Sequence, residues 1–106
     1  YDVARAGWIG DYNDPNTFLD MWLTGGGNNQ TGWSNARYDQ LIQEAGQASD
    51  PTARFERFQE AEAILLDEMP VIPIYFYVSL SLVKPNVRGW HPNILDHHPY
   101  KYIHLE

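Results

Sequence analysis

A chain of 106 residues holds one domain at most, and with 43% hydrophobic residues it is not of the disordered kind. A formal net charge of -7 argues against nucleic acid and anionic membrane surfaces as partners. The absence of cysteine removes disulfide frameworks, thiolate catalysis and cysteine-zinc sites.

Residues 2–8 form an apolar, strand-like run that turns at Gly10. Asp14 then reads as a helix N-cap and Pro15 as the first helical residue, where its missing N–H costs nothing. Trp8, Asp11 and Tyr12 therefore sit at a strand-to-helix corner. In sheet-and-helix proteins, ligands bind outside the carboxyl ends of strands. An aromatic ring beside a carboxylate there suits a ligand with an apolar body and a cationic end. The chain starts at Tyr1, inside the predicted strand, so the expectation is a C-terminal piece of something larger. No apolar run is long enough to span a bilayer, and no signal-peptide pattern is present.

A short helix is predicted over 15–23, with Phe18, Leu19 and Trp22 on one face. Gly25-Gly26-Gly27 ends it and Asn28-Asn29 continues the loop. A phosphate cradle would also need the P-loop lysine and hydroxyl, which are missing. Ser34 or Asn35 caps the next helix, whose Tyr38, Leu41, Ile42 and Ala45 make an amphipathic stripe. Asp50-Pro51 repeats the cap-plus-proline signature. The helix from Pro51 to about Glu68 presents Phe55, Phe58, Ala61 and Leu65 as its apolar face, with Glu56, Glu60 and Asp67 solvated.

Met69-Pro70 breaks that helix. Residues 71–83 then read as the strongest strand in the chain. Ile74, Phe76, Val78, Leu80 and Leu82 share one face; Tyr75, Tyr77, Ser79 and Ser81 share the other. The aromatic-polar face is either ordinary half-buried sheet or the wall of a ligand cavity. Residues 86–99 read as a wandering loop, and 100–105 as a last short strand.

An ordered set of motifs runs through this text. It begins with Asp2 to Trp8 and Gly10-Asp11-Tyr12-Asn13-Asp14-Pro15, then Phe18-Leu19, Asn28-Asn29 and Tyr38-Asp39-Gln40-Leu41-Ile42. It continues through Ala61-Glu62 and Val71 to Val78, and closes on Leu82-Val83-Lys84-Pro85. The set resembles the bacterial oligopeptide-binding proteins, solute-binding proteins of the peptide/nickel class that serve ABC importers. The resemblance implies an α+β fragment of one lobe of a two-lobed periplasmic-binding-protein-like fold, with about three helices packed on a few β-strands. Residues 1–106 would form this partial lobe, with 86–106 a tail that returns toward the other lobe.

The same resemblance implies short peptides as ligands, an ABC importer permease as partner, no cofactor and no catalytic residue. It implies a periplasmic location, or a lipid-anchored one outside a Gram-positive membrane. Asp11 matches the aspartate that pairs with a peptide α-ammonium, a contact of the strong, charge-assisted kind. Arg5 matches an arginine able to meet the carboxylate of a short peptide. Trp8 matches a cavity-lining ring, and Asn28 and Tyr77 match polar residues that hydrogen-bond the ligand. Each also has a plainer role: Asp11 as a corner cap, Arg5 as a surface ion pair, Trp8 as core, and Asn28 as a loop residue with an unusual backbone angle. Dipeptide-binding relatives also place Trp-x-Gly-Asp at the corner, so peptide length stays open.

A dipeptide, a nickel complex or an oligosaccharide is the alternative solute. A glycoside hydrolase fragment would use Asp11 with Asp14, or Asp67 with Glu68, as paired carboxylates. Three residues across one turn do not set two carboxylates on opposite sides of a bond. His91, His97, His98 and His104 suggest a metal, but they lack a ligand-bearing helical spacing. Apolar surface left bare by truncation makes self-association of the isolated fragment an expectation.

Overall fold

The helical text folds where its caps place it. The structure is a computed structural model and describes residues 2–106. Its chain divides into two units, one reaching Pro73 and one spanning Ile74–Glu106.

The first unit holds three α-helices: α1 over Asn16–Leu19, α2 over Ala36–Gln47 and α3 over Pro51–Glu68. A 3-10 turn over Asp20–Trp22 continues α1. Of the two capping candidates for α2, Asn35 serves: its side chain accepts from the Tyr38 N–H at 3.0 Å. Asp50 does the same for α3, accepting from the Ala53 N–H at 2.8 Å, with Pro51 at the first position. Met69 ends α3 in the left-handed conformation at φ 47° and donates its N–H to the Leu65 carbonyl.

The stripe of α2 is buried as expected, at Tyr38, Leu41, Ile42 and Ala45. Phe58, Ala61 and Leu65 of α3 close on it, with Leu19 of α1 completing the core. Trp22, Leu23, Trp33 and Ile64 pack around its edge. Two expected core residues lie outside it. Phe55 is 49% exposed, packed edge-on against Phe58 with ring centroids 6.5 Å apart. Phe18 is 48% exposed.

The second unit carries the sheet. β1 (Val87–Arg88) pairs antiparallel with β2 (His104–Leu105), Val87 opposite Leu105 and Arg88 opposite His104. The last strand expected over 100–105 is thus half strand, because Tyr100–Tyr102 winds into a 3-10 turn. Gly89 has φ 81°, and a Cβ there would run into the Tyr102 carbonyl, so the hairpin requires glycine at this point. Trp90 and His98 stack with centroids 3.7 Å apart, and Asn93 bridges the intervening turn through His97.

Three helices and a small antiparallel sheet give the α+β class. The strands expected over 2–8 and 71–83 do not form: the described residues of both stretches lie outside any sheet. A strand exists only by exchanging backbone hydrogen bonds with a neighbour. Among the described residues none pairs with either stretch. The helices of the first unit pack on one another.

Candidate functional site

The corner between Gly10 and α1 is held from several sides. Gly10 sits where a side chain would crowd both the Phe18 ring and the Thr17 methyl, with a Cβ 3.1 Å from Phe18 Cζ. Thr17 is 2% exposed, and its hydroxyl accepts the Asp11 N–H at 3.0 Å. Asp14 turns its carboxylate back onto the helix start, where Oδ1 accepts the Asn16 N–H at 2.9 Å. The helix starts at Asn16 with Pro15 in the cap position, so Asp14 stands one residue ahead of the expected cap and closes the turn that leads into α1.

Asp14 also receives Arg54 of α3 in a two-point ion pair, at 2.7 Å to Oδ2 and 2.8 Å to Oδ1. The Arg54 guanidinium donates these bonds while lying 4.6 Å above the Phe58 ring. The Arg54 bonds hold the Asp14 carboxyl below its ordinary range, and Arg54 is raised in turn. Asn16 then ties Tyr12 to Asp20, donating to the Tyr12 hydroxyl at 2.9 Å and to Asp20 Oδ2 at 3.0 Å.

The result is a corner with a pinned backbone and one uncommitted acid. Asp11 is exposed, and its carboxylate has no hydrogen-bond or ion-pair partner among the described residues. Capping and structural pairing fall to Asp14. Trp8, three residues before Asp11, is 38% exposed. Arg5 is exposed on the same N-terminal stretch and forms no ion pair among the described residues. An exposed carboxylate without a partner can accept N–H donors from outside the chain.

Asn28 stands in the loop after the 3-10 turn, exposed, and its φ is not positive. The plainer reading of Asn28 as a residue chosen for left-handed backbone therefore does not hold. Its neighbour Asn29 is the structural asparagine. The Asn29 amide donates to the carbonyls of Trp22, Leu23 and Trp33 at 3.0, 3.2 and 2.9 Å, and its oxygen accepts from the Thr31 hydroxyl at 2.8 Å. Tyr77 lies in the second unit, exposed beside Tyr75. No hydrogen bond or ion pair joins Arg5, Trp8, Asp11, Asn28 and Tyr77 to one another among the described residues.

Sequence reasoning missed Thr17, Arg54 and the partners that Glu68 holds. Thr17 had a weak signal, a hydroxyl set just inside a capped helix start. Arg54 had none, since it meets Asp14 across 40 residues. Glu68 receives the Trp33 indole N–H at 2.7 Å and the Asn35 amide at 2.6 Å, across 35 and 33 residues. Asp14 and Glu68, each a member of one of the carboxylate pairs named above, are thus both engaged in contacts within the helical unit. The histidines are dispersed: His98 pairs with Asp96 at 2.8 Å, and the His104 ring approaches the Tyr102 carbonyl. Among the described residues, no three His, Cys, Asp or Glu side chains gather as a metal would require.

No protein-family model matches the chain. It is 43% identical over 90 residues to the oligopeptide-binding protein OppA of Bacillus subtilis, a match covering 84% of this chain and 16% of that protein. It is 38% identical over all 106 residues to the dipeptide-binding protein DppE of the same organism, covering 19% of it. The unliganded open form of the periplasmic murein tripeptide-binding protein MppA superposes with a TM-score of 0.71 at 30% identity. That superposition takes in 92% of this chain and 19% of the other. The chain thus spans less than a fifth of the length of the curated relatives it matches.

Proposed function

We propose, from the premise that this chain is homologous to a segment of the bacterial oligopeptide- and dipeptide-binding proteins, that it forms one wall of a peptide cleft in a longer solute-binding protein. That protein captures short peptides for an ABC importer and performs no covalent chemistry. It works in the periplasm, or lipid-anchored outside a Gram-positive membrane. Residues 86–106 carry the tail that returns toward the second lobe.

One observation carries the reading: Asp11 presents an uncommitted carboxylate from a corner whose backbone is fixed by Thr17 and by the Asp14–Arg54 pair. A peptide α-ammonium is a compact triple donor. Once lobe closure removes water, it needs a charged acceptor already in place. Fixing the Asp11 backbone beforehand lowers the ordering cost of binding. Trp8 covers the first residues of the ligand, and Arg5 meets the carboxylate of a peptide short enough to end near it. Asn28 and Tyr77 hydrogen-bond the peptide backbone. Backbone recognition leaves side chains to roomy pockets, which is why such a site accepts many sequences.

The test is calorimetric and uses the full-length protein. A free tripeptide and its N-acetylated form are titrated in turn. Acetylation removes the ammonium and strands Asp11 in the closed cleft, so affinity falls by about 2–5 kcal/mol. Asp11→Asn reduces binding of the free tripeptide and leaves the acetylated one nearly unchanged. Equal binding of both tripeptides by the natural protein returns Asp11 to a corner residue.

A further inference from the structure

Resting on the reading of Asp11 as the ammonium acceptor, we infer that Thr17 is the positioning residue of that site: its hydroxyl holds the Asp11 backbone in the setting that keeps the carboxylate out of bonds with its own corner. Thr17 is 2% exposed, and among the described residues it is the sole buried polar residue apart from the Tyr38 phenol. A buried hydroxyl costs stability unless it is bonded. A valine has nearly the same shape and would fill the space without that cost. Among the described residues the Thr17 hydroxyl has one partner, the Asp11 N–H at 3.0 Å. The polar atom is thus spent on the one residue of the corner whose acid is free.

Thr17 is itself set by the packed helices. Its N–H donates to the Asp14 carbonyl at 3.3 Å. Leu19, two residues on, is buried, and its carbonyl accepts from the Tyr38 hydroxyl of α2 at 2.6 Å. The Thr17 methyl backs the preceding residue: a Cβ on Gly10 would stand 3.3 Å from it. A side chain anchored in the core therefore reaches back six residues and braces the Gly10-Asp11 segment with both of its arms.

The brace matters because aspartates in turns bond their own backbone about two residues on. A carboxylate so engaged has to break that bond before it takes a ligand. Freeing the Asp11 N–H loosens the backbone of that residue and opens the self-bonded state. Apparent affinity then falls by the fraction of molecules still in the ligand-ready state. Thr17 offers no surface to a peptide, so it acts on binding only through Asp11.

The experiment uses the full-length protein and titrates one free tripeptide by calorimetry into four forms: natural, Thr17→Val, Asp11→Ala and the double variant. Thr17→Val keeps the burial and removes the acceptor, and weakens binding about 10-fold. In the Asp11→Ala background the same change costs less than about 2-fold, because the acid it positions is gone. Thr17→Ser keeps the hydroxyl and the natural affinity. Equal losses from Thr17→Val in both backgrounds mean a general weakening of the fold and overturn the proposal, while the Asp11 reading stands. Natural affinity in Thr17→Val overturns it as well. So does a Thr17→Ser protein as weak as Thr17→Val, which assigns the effect to the methyl against Gly10. An Asp11→Ala protein that binds as the natural one does overturns the Asp11 reading and this proposal together.

Discussion

The two units of this chain hold comparable apolar text and treat it in opposite ways. The first, through Pro73, buries Tyr38, Leu41, Ile42, Ala45, Phe58, Ala61 and Leu65 in a helical core. The second, Ile74–Glu106, leaves Ile74, Phe76, Val78, Leu80 and Leu82 in water. The difference is one of backbone chemistry. A helix satisfies its own N–H and C=O groups, so two amphipathic helices joined by a short connection need only each other. A strand satisfies nothing by itself and waits for an edge. A stretch of chain can therefore keep its helices while leaving its best strand unformed.

The sharpest way to break that comparison is to remove the same leucine side chain in each unit. Leu41 is fully buried, and Leu41→Ala is expected to cost about 2–5 kcal/mol in denaturant unfolding followed by helical circular dichroism. Leu80→Ala at low protein concentration should shift the same transition by no more than about 0.5 kcal/mol, as for an exposed site. A comparable loss from both would mean that Leu80 is covered in solution by the chain itself.

Within the helical unit, Tyr38 anchors the core to α1 by a polar contact. Its hydroxyl donates to the Leu19 carbonyl at 2.6 Å, and burial, with the charges of Asp20, Asp39 and Glu62 behind it, pushes the phenol well above its ordinary value. Tyr38→Phe keeps the ring against Trp33 and strands that carbonyl. The expected loss is about 1–3 kcal/mol in the same assay. No change would mean that the carbonyl finds another donor.

The smallest effect belongs to the corner. Both Asp14 and Arg54 are partly exposed, so Asp14→Asn should cost no more than about 1 kcal/mol at neutral pH. The folded-state pKa of Asp14 is depressed, so its contribution is present above the unfolded value near 4. It is lost as pH falls through the lower, folded value. The stability gap between natural and Asp14→Asn chains should accordingly close below about pH 4. A gap that persisted there would assign the loss to packing or capping instead of charge.

How much of the site was legible follows the same division. The bond from Asp14 to the start of α1 was readable to within one residue, because such turns are local patterns of a few residues. The release of Asp11 from structural work was not. It depends on Thr17 taking the Asp11 N–H and on Arg54 arriving from α3 to occupy Asp14. Asn28 and Asn29 are alike as letters; only the fold sends the Asn29 amide to three carbonyls and leaves Asn28 exposed.

By itself the sequence determined α2 and α3, the cap at Asp50, a choice of two neighbouring caps for α2, and the buried stripe of α2. It also carried the motifs that mark the peptide-binding relatives. All of these lie within a few residues of one another or in an ordered series along the chain. Only the tertiary structure decided that Phe55 and Phe18 stay exposed, that Arg54 meets Asp14, and that Glu68 holds Trp33 and Asn35. It also decided that residues 74–82, the most strand-like text in the molecule, would form no strand. Helical periodicity is a property of neighbours, whereas ion pairs across 40 residues and the edges of sheets are properties of where the chain returns.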